Sequence, residues 1–164
     1  MKAFLASLLL LAFYAVPAAR AETARTAAVF DAVFINSSPL PTTPEEEARI
    51  TQLTAHLKQA LEASGLYRPV SLAAIKPELD KVRDIHDCNG CEAELAKEAG
   101  AQVAVVAWVQ KVSNLILNIN VRIVDAANGA PLRGGSVDIR GNDDRSWDRG
   151  LKYLLEERLF DARK

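Results

Sequence analysis

AQVAVVAWVQKVSNLILNINVRIVDA, residues Ala101–Ala126, is the stretch whose reading decides the fold. Val103, Val105, Ala107 and Val109 alternate with Ala104, Val106, Trp108 and Gln110, and both sets stay apolar until Gln110. A strand apolar on both faces belongs in the middle of a covered sheet. Lys111, Ser113 and Asn114 interrupt the run and are read as a turn. Leu117, Ile119, Val121 and Ile123 then alternate with Asn118, Asn120 and Arg122. That period of two marks a strand with one buried and one polar face.

Working outward, Ala127-Asn128-Gly129 is a turn signal, because Asn and Gly accept positive φ. A third strand carries Val137 and Ile139 inward and Ser136, Asp138 and Arg140 outward. Gly134-Gly135 within it signals a bulge or a close backbone approach. Short connections make the three strands an antiparallel meander. Asn118, Asn120, Arg122, Asp138 and Arg140 are either a solvated sheet face or a polar binding surface.

Upstream, Ala27–Ile35 (AAVFDAVFI) reads as one strand, with Asp31 inside it. The loop Asn36–Thr43 follows, and Ser37 and Ser38 make it a second candidate ligand or partner surface, since α/β proteins often bind ligands where strands end. Thr43-Pro44 with Glu45, Glu46 and Glu47 is a helix start, with a cap, a proline at the first position and acids suited to the dipole. Ile50, Leu53, Leu57, Ala60 and Leu61 form its apolar stripe and Gly65 its stop. His56 sits beside the stripe and reads as a surface residue. Tyr67–Ser71 is a short strand, so strand, helix and strand form a crossover with parallel pairing. Pro77 breaks the next apolar stretch or starts a fresh helix. Gly90–Ala99 is a short helix closed by Gly100. At the far end Arg145–Phe160 is a helix capped near Asp144, with Trp147, Leu151, Leu154, Leu155 and Leu159 buried. Gly150 in its middle is expected to let the helix approach the sheet closely.

These elements predict an α/β (α+β) domain: a single mixed sheet of about five strands with packed helices. Residues 1–21 read as a signal peptide: Lys2, the apolar run Phe4–Val16, Pro17 and the cleavage motif Ala19-Arg20-Ala21. The run is too short for a membrane span, which needs about 20 residues. Residues 22–164 are then one exported unit, periplasmic or secreted, without a membrane span. Cleavage leaves 18 basic against 21 acidic residues, a net charge of −3 that gives no reason to expect nucleic acid.

The candidate chemistry lies in His86-Asp87-Cys88-Asn89-Gly90-Cys91, which holds both cysteines. In an exported chain, Cys88 and Cys91 point first to a disulfide across the Asn-Gly turn. A redox dithiol is the second reading, although Asp87, Glu92 and Glu94 oppose thiolate formation there. Metal binding by His86, Cys88 and Cys91, with help from Asp87 or His56, is the third. Glu92 stands where covalent haem attachment needs histidine. Phosphate loops, HExxH helices and nucleophile elbows are absent from the sequence, so no catalytic residue and no cofactor is expected.

Two resemblances rest on these residues. Gly100-Ala101 leading into VAVVAWVQKVSNLILNINVRIVDAANG, then SVDIRGNDDRSWDRGLKYLLEERL, resembles a family of small exported bacterial proteins of unknown function. The order of strand, Ser-rich loop, helix, short strand, Gly-Ala-x-Val strand and long antiparallel strand is similar to the amino-terminal domain of TolB and to the curli-assembly CsgG group. That likeness implies envelope assembly through protein contacts. The expected function is a non-enzymatic envelope accessory protein that binds another envelope protein or a small ligand. A thiol–disulfide redox protein and a metal-binding carrier are the alternatives.

Overall fold

A computed structural model describes residues 23–160. The expected signal peptide, residues 1–21, lies outside the described residues. Six strands, β1 (Arg25–Val29), β2 (Val33–Asn36), β3 (Tyr67–Pro69), β4 (Val103–Ser113), β5 (Ile116–Asp125) and β6 (Pro131–Ile139), form one open mixed sheet. Its order is β3-β1-β4-β5-β6, with β2 also on β4. Four helices accompany it: α1 (Pro44–Ala63), α2 (Lys76–Leu79), α3 (Cys91–Glu98) and α4 (Asp144–Leu154). A wider π-type turn, Leu155–Leu159, continues α4. The chain is thus a single mixed α+β domain. No helix among the described residues is long and apolar enough to cross a membrane.

The meander β4-β5-β6 is antiparallel throughout, while β1 pairs in parallel with β3 and with β4. The expected first strand is in fact two. Val29 faces Val105 but Val33 faces Trp108, so this edge advances four residues while β4 advances three. One extra residue on one side is a bulge, and it twists the chain locally. Exposed Asp31 sits at this break, and the Ala32 N–H leaves the sheet to donate to Thr54 Oγ1 at 2.9 Å.

The alternation in β4 divides the core. Val103, Val105, Ala107 and Val109 pack with Leu117, Ile119, Val121 and Ile123 under α1 and α4. Ala104 and Val106 pack on the other face with Phe30, just past β1, and with Ile75, Ile85, Ala93 and Ala96 from α3 and the segment before it. That second layer covers only the end of the face near Val106. Beyond it Trp108 is half-buried and Gln110 exposed, as the loss of apolar pattern anticipates.

Lys111 corrects the sequence reading. It does not open a turn; β4 runs on to Ser113, and the turn falls at Asn114-Leu115. Lys111 takes a core-facing position and is only 1% exposed. A buried ammonium needs a counter-charge, and Glu46 provides it: Lys111 Nζ donates to Glu46 Oε1 at 2.6 Å. Asn142 Nδ2 donates to the same oxygen at 2.5 Å, and the Thr43 N–H donates to Glu46 Oε2 at 2.9 Å. Thr43 and Glu46 thereby complete a capping box, so one carboxylate closes α1 and neutralises the strand. Burial alone would raise the Glu46 pKa. Hydrogen bonds from Lys111, Thr43 and Asn142, with the Lys111 charge, outweigh it and hold the carboxyl below its ordinary value.

Gly150 and Gly135 show where helix meets sheet. A Cβ on Gly150 would lie far inside van der Waals contact with Ile139 Cγ2 and 3.1 Å from Ile119 Cδ1. A Cβ on Gly135 would lie 2.8 Å from Leu154 Cδ1. Of the two readings of Gly134-Gly135, close approach holds; both glycines pair regularly with β5, and the register shift comes beyond them, at Ile123/Val124. Trp147 is buried, stacks at 5.8 Å from Phe34 and donates Nε1–H to Asn142 Oδ1 at 3.1 Å.

Candidate functional site

The bare half of the sheet face and the cysteine motif meet in one place. Asn118, Asn120 and Arg122 project from β5 beside Ser136 and Asp138 of β6, because the register pairs Asn118 with Asp138 and Asn120 with Ser136. Asn118 Nδ2 donates to Ser136 Oγ and to Asp138 Oδ1, both at 2.8 Å. Ser136 Oγ donates back to Asn118 Oδ1 at 3.0 Å. These side chains therefore hold one another in fixed orientation along the sheet.

Arg122 joins that row to the cysteines. Its guanidinium lies 5.9 Å from the centre of the Trp108 ring and donates to Glu92 Oε1 at 2.9 Å and to the His86 carbonyl at 3.3 Å. Arg122 Nε is buried and donates no hydrogen bond among the described residues; its guanidinium lies against the Trp108 ring, where a cation is favoured. The His86 ring packs at 5.6 Å from the same tryptophan, and its Nδ1 meets Asp84 Oδ1.

Cys88 and Cys91 lie at disulfide distance, Sγ to Sγ 2.06 Å. Asn89 and Gly90 both take positive φ, which folds the short span back before α3 begins at Cys91. One side of the pair opens into a cavity of about 560 Å3 lined by Val82, Arg83, Asp84, Asp87, Cys88 and Cys91. Behind the other side stands Glu92, buried, with Oε2 at 3.3 Å from Cys88 Sγ and 3.1 Å from the Gly90 nitrogen. The ligand atoms that converge are Cys88 Sγ, Cys91 Sγ and a Glu92 oxygen, all within 4.8 Å of one another. His86 of the sequence-derived trio is not in that group; its Nδ1 meets Asp84 Oδ1 and its ring lies against Trp108. Two sulfurs bonded to each other offer a metal no thiolate, so any ion would need the reduced pair.

Ser37 and Ser38 lie at the far end of the bare face. The Ser37 N–H donates to the Lys111 carbonyl at 2.8 Å, and Ser38 Oγ donates to Asn36 Oδ1 at 2.7 Å. Exposed Leu40, Val112, Leu115 and Ile116 gather at this same end. Arg140 is exposed just past β6. His56 is a surface residue with Nδ1 at 3.1 Å from Asp148 Oδ1, beside a groove of about 360 Å3 between α1 and α4. Leu151, Leu155 and Phe160 give it apolar walls, and Ser64, Lys152 and Glu156 also line it.

Glu92 and Trp108 are the site residues the sequence reading missed as such. In sequence Glu92 counts only as an acid opposing thiolate formation. The signal that could have promoted it is a carboxylate one residue after Cys91 that sits three and four residues before Leu95 and Ala96, on the apolar side of the helix.

The comparisons with known proteins place the fold. The chain is similar to the LpoB C-terminal domain from Salmonella enterica, at 19% identity and a TM-score of 0.54, covering 74% of this chain and 87% of that one. The Escherichia coli LpoB C-terminal domain matches at 17% identity with the same score and coverage. Lipoprotein GNA1162 from Neisseria meningitidis matches at 17% identity and 0.54, covering 87% of this chain and 100% of that one. At such identities the likeness establishes the fold. No curated protein matches the sequence. The closer of the two sequence resemblances, to a family of unknown function, is the one supported; the looser, architectural likeness to TolB and CsgG is not. Residues 25–159 match one family model almost from end to end of the described chain, and the protein belongs to that family, DUF3280, described as a protein of unknown function (DUF2380).

Proposed function

We propose that this protein is an exported, non-enzymatic accessory protein of the bacterial envelope, working by contact through the bare face of its sheet. The observation that carries the reading is the row Asn118, Ser136 and Asp138, locked by hydrogen bonds on a face that no helix covers among the described residues. Side chains already fixed in place lose little entropy when a partner binds. Leu40, Val112, Leu115 and Ile116 add exposed apolar surface at one end, the mixture that protein contacts use. Residues 1–21 act as the signal peptide and residues 22–164 as the mature periplasmic unit. The fold shared with a domain of LpoB and with a meningococcal lipoprotein agrees with an envelope location.

The test is site-specific photo-crosslinking in intact cells. Crosslinkers at Asn118 and at Ile116 are expected to capture one discrete envelope protein, and Asp138→Lys to abolish the product. A crosslinker at exposed Gln59 on α1 is the control. The same products from Gln59, or an undiminished product in D138K, would refute the assignment.

A further inference from the structure

We infer that Cys88 and Cys91 form an exchangeable thiol–disulfide pair for which Glu92 is the proton acceptor, a stoichiometric redox chemistry separate from the contact role proposed above. The argument starts from Glu92 Oε2, 3.3 Å from Cys88 Sγ. In the disulfide that sulfur has no proton, and the contact sets a carboxylate oxygen against sulfur lone pairs. In the dithiol the same contact is a hydrogen bond, with the thiol donating. With the bridge formed the carboxylate serves the Gly90 N–H and Arg122, and only in the dithiol does it also accept from Cys88. The carboxylate is also held still: Arg122 binds its other oxygen at 2.9 Å, and the Gly90 nitrogen lies 3.1 Å from Oε2.

The two sulfurs have different surroundings. Cys91 is the first residue of α3, where the helix dipole favours thiolate and the first-turn acids Glu92 and Glu94 work against it. Cys88 stands against Glu92, where a negative neighbour disfavours thiolate and a base is at hand. Both line the open cavity with Arg83, so an incoming group can reach them.

The chemistry follows with a protein or small-molecule disulfide as co-reactant. The Cys91 thiolate attacks one sulfur of that disulfide; a Cys91–sulfur bond forms, and the other sulfur leaves as thiolate. Cys88 then passes its proton to Glu92 and attacks Cys91 Sγ. The Cys88–Cys91 bond forms, the mixed disulfide breaks, and the second substrate thiolate departs, taking up a proton from Glu92 or water. The protein loses two electrons and the substrate gains two. The reverse sequence oxidises a substrate dithiol.

The experiment uses the reduced full chain and an aromatic disulfide that releases one coloured thiolate in each step. The second release, which reports attack by Cys88, is expected to be nearly independent of pH between about 6 and 8. In Glu92→Gln it should be about 100-fold slower at pH 6, the lower end of the range one general base supplies. It should then rise about tenfold per pH unit. C88S should give the first release and stop, and C91S should lose the fast first release. The wild-type disulfide should also be reduced by glutathione while the chain stays folded. The inference is overturned if glutathione leaves the bridge intact, or if E92Q matches the wild type in rate and pH slope. If E92Q fails to fold by circular dichroism, the serine variants decide: equal first-step rates in C88S and C91S reject the assigned roles.

Discussion

Gly150→Ala tests the packing argument through the sign of its effect. In an open helix, replacing glycine with alanine gains about 1 kcal/mol, because glycine loses more backbone freedom on folding. Here the added methyl would press on Ile139 Cγ2 and stand 3.1 Å from Ile119 Cδ1, and both side chains belong to the core beneath α4. Forcing an extra carbon into a filled core costs about 1–3 kcal/mol. The clash is with branched side chains rooted in the sheet, so the upper part of that range applies. The net expectation is destabilisation by about 1–2 kcal/mol, a Tm lower by about 3–8 °C for a domain of this size. Thermal unfolding followed by circular dichroism measures it. Ala48→Gly, at an exposed position of α1, calibrates the helix preference in the same protein. In an Ile139→Ala background the offending methyl is gone, and Gly150→Ala should become neutral or stabilising. A rise in Tm on Gly150→Ala in the otherwise unaltered protein would refute the reasoning.

The other predictions concern charge and sulfur. Lys111→Met leaves Glu46 buried without its cation and should cost about 3–5 kcal/mol, whereas Lys111→Met with Glu46→Gln should recover most of that in denaturant unfolding. The Glu46 carboxyl is held below its ordinary value in the folded state, so its contribution is present above the unfolded carboxyl pKa of about 4.3. It is lost as pH falls through the lower folded value. Stability measured from pH 6 to pH 2 should therefore drop below about pH 4, and less steeply in the K111M/E46Q double variant. Cys88→Ser with Cys91→Ser should lower stability by at most about 2 kcal/mol, since closing so short a loop removes little unfolded-state entropy. A larger loss would mean that the bridge supports the packing of α3.

Much of the architecture was legible because it rests on periodicity. The alternation in Val103–Val109 and Leu117–Ile123 gave two adjacent strands and their buried faces, and the stripe from Ile50 to Leu61 gave the helix that covers one of them. The glycine in mid-helix pointed to close approach because no other feature explains its place. The single strand expected over Ala27–Ile35 broke in two because a bulge depends on what pairs alongside, and nothing within AAVFDAVFI states that.

By itself, the sequence determined the order of elements, the meander and the turn that brings Cys88 and Cys91 together, all of which depend on neighbours a few residues apart. Tertiary structure decided the rest. It turned Lys111 from an apparent strand breaker into a core residue by placing Glu46 and Asn142 around it. It carried Arg122 from a polar row to the cysteine motif, and set Glu92 behind Cys88. Charge compensation acts through space between segments far apart in the chain, so a one-dimensional pattern records each charged residue without recording its partner.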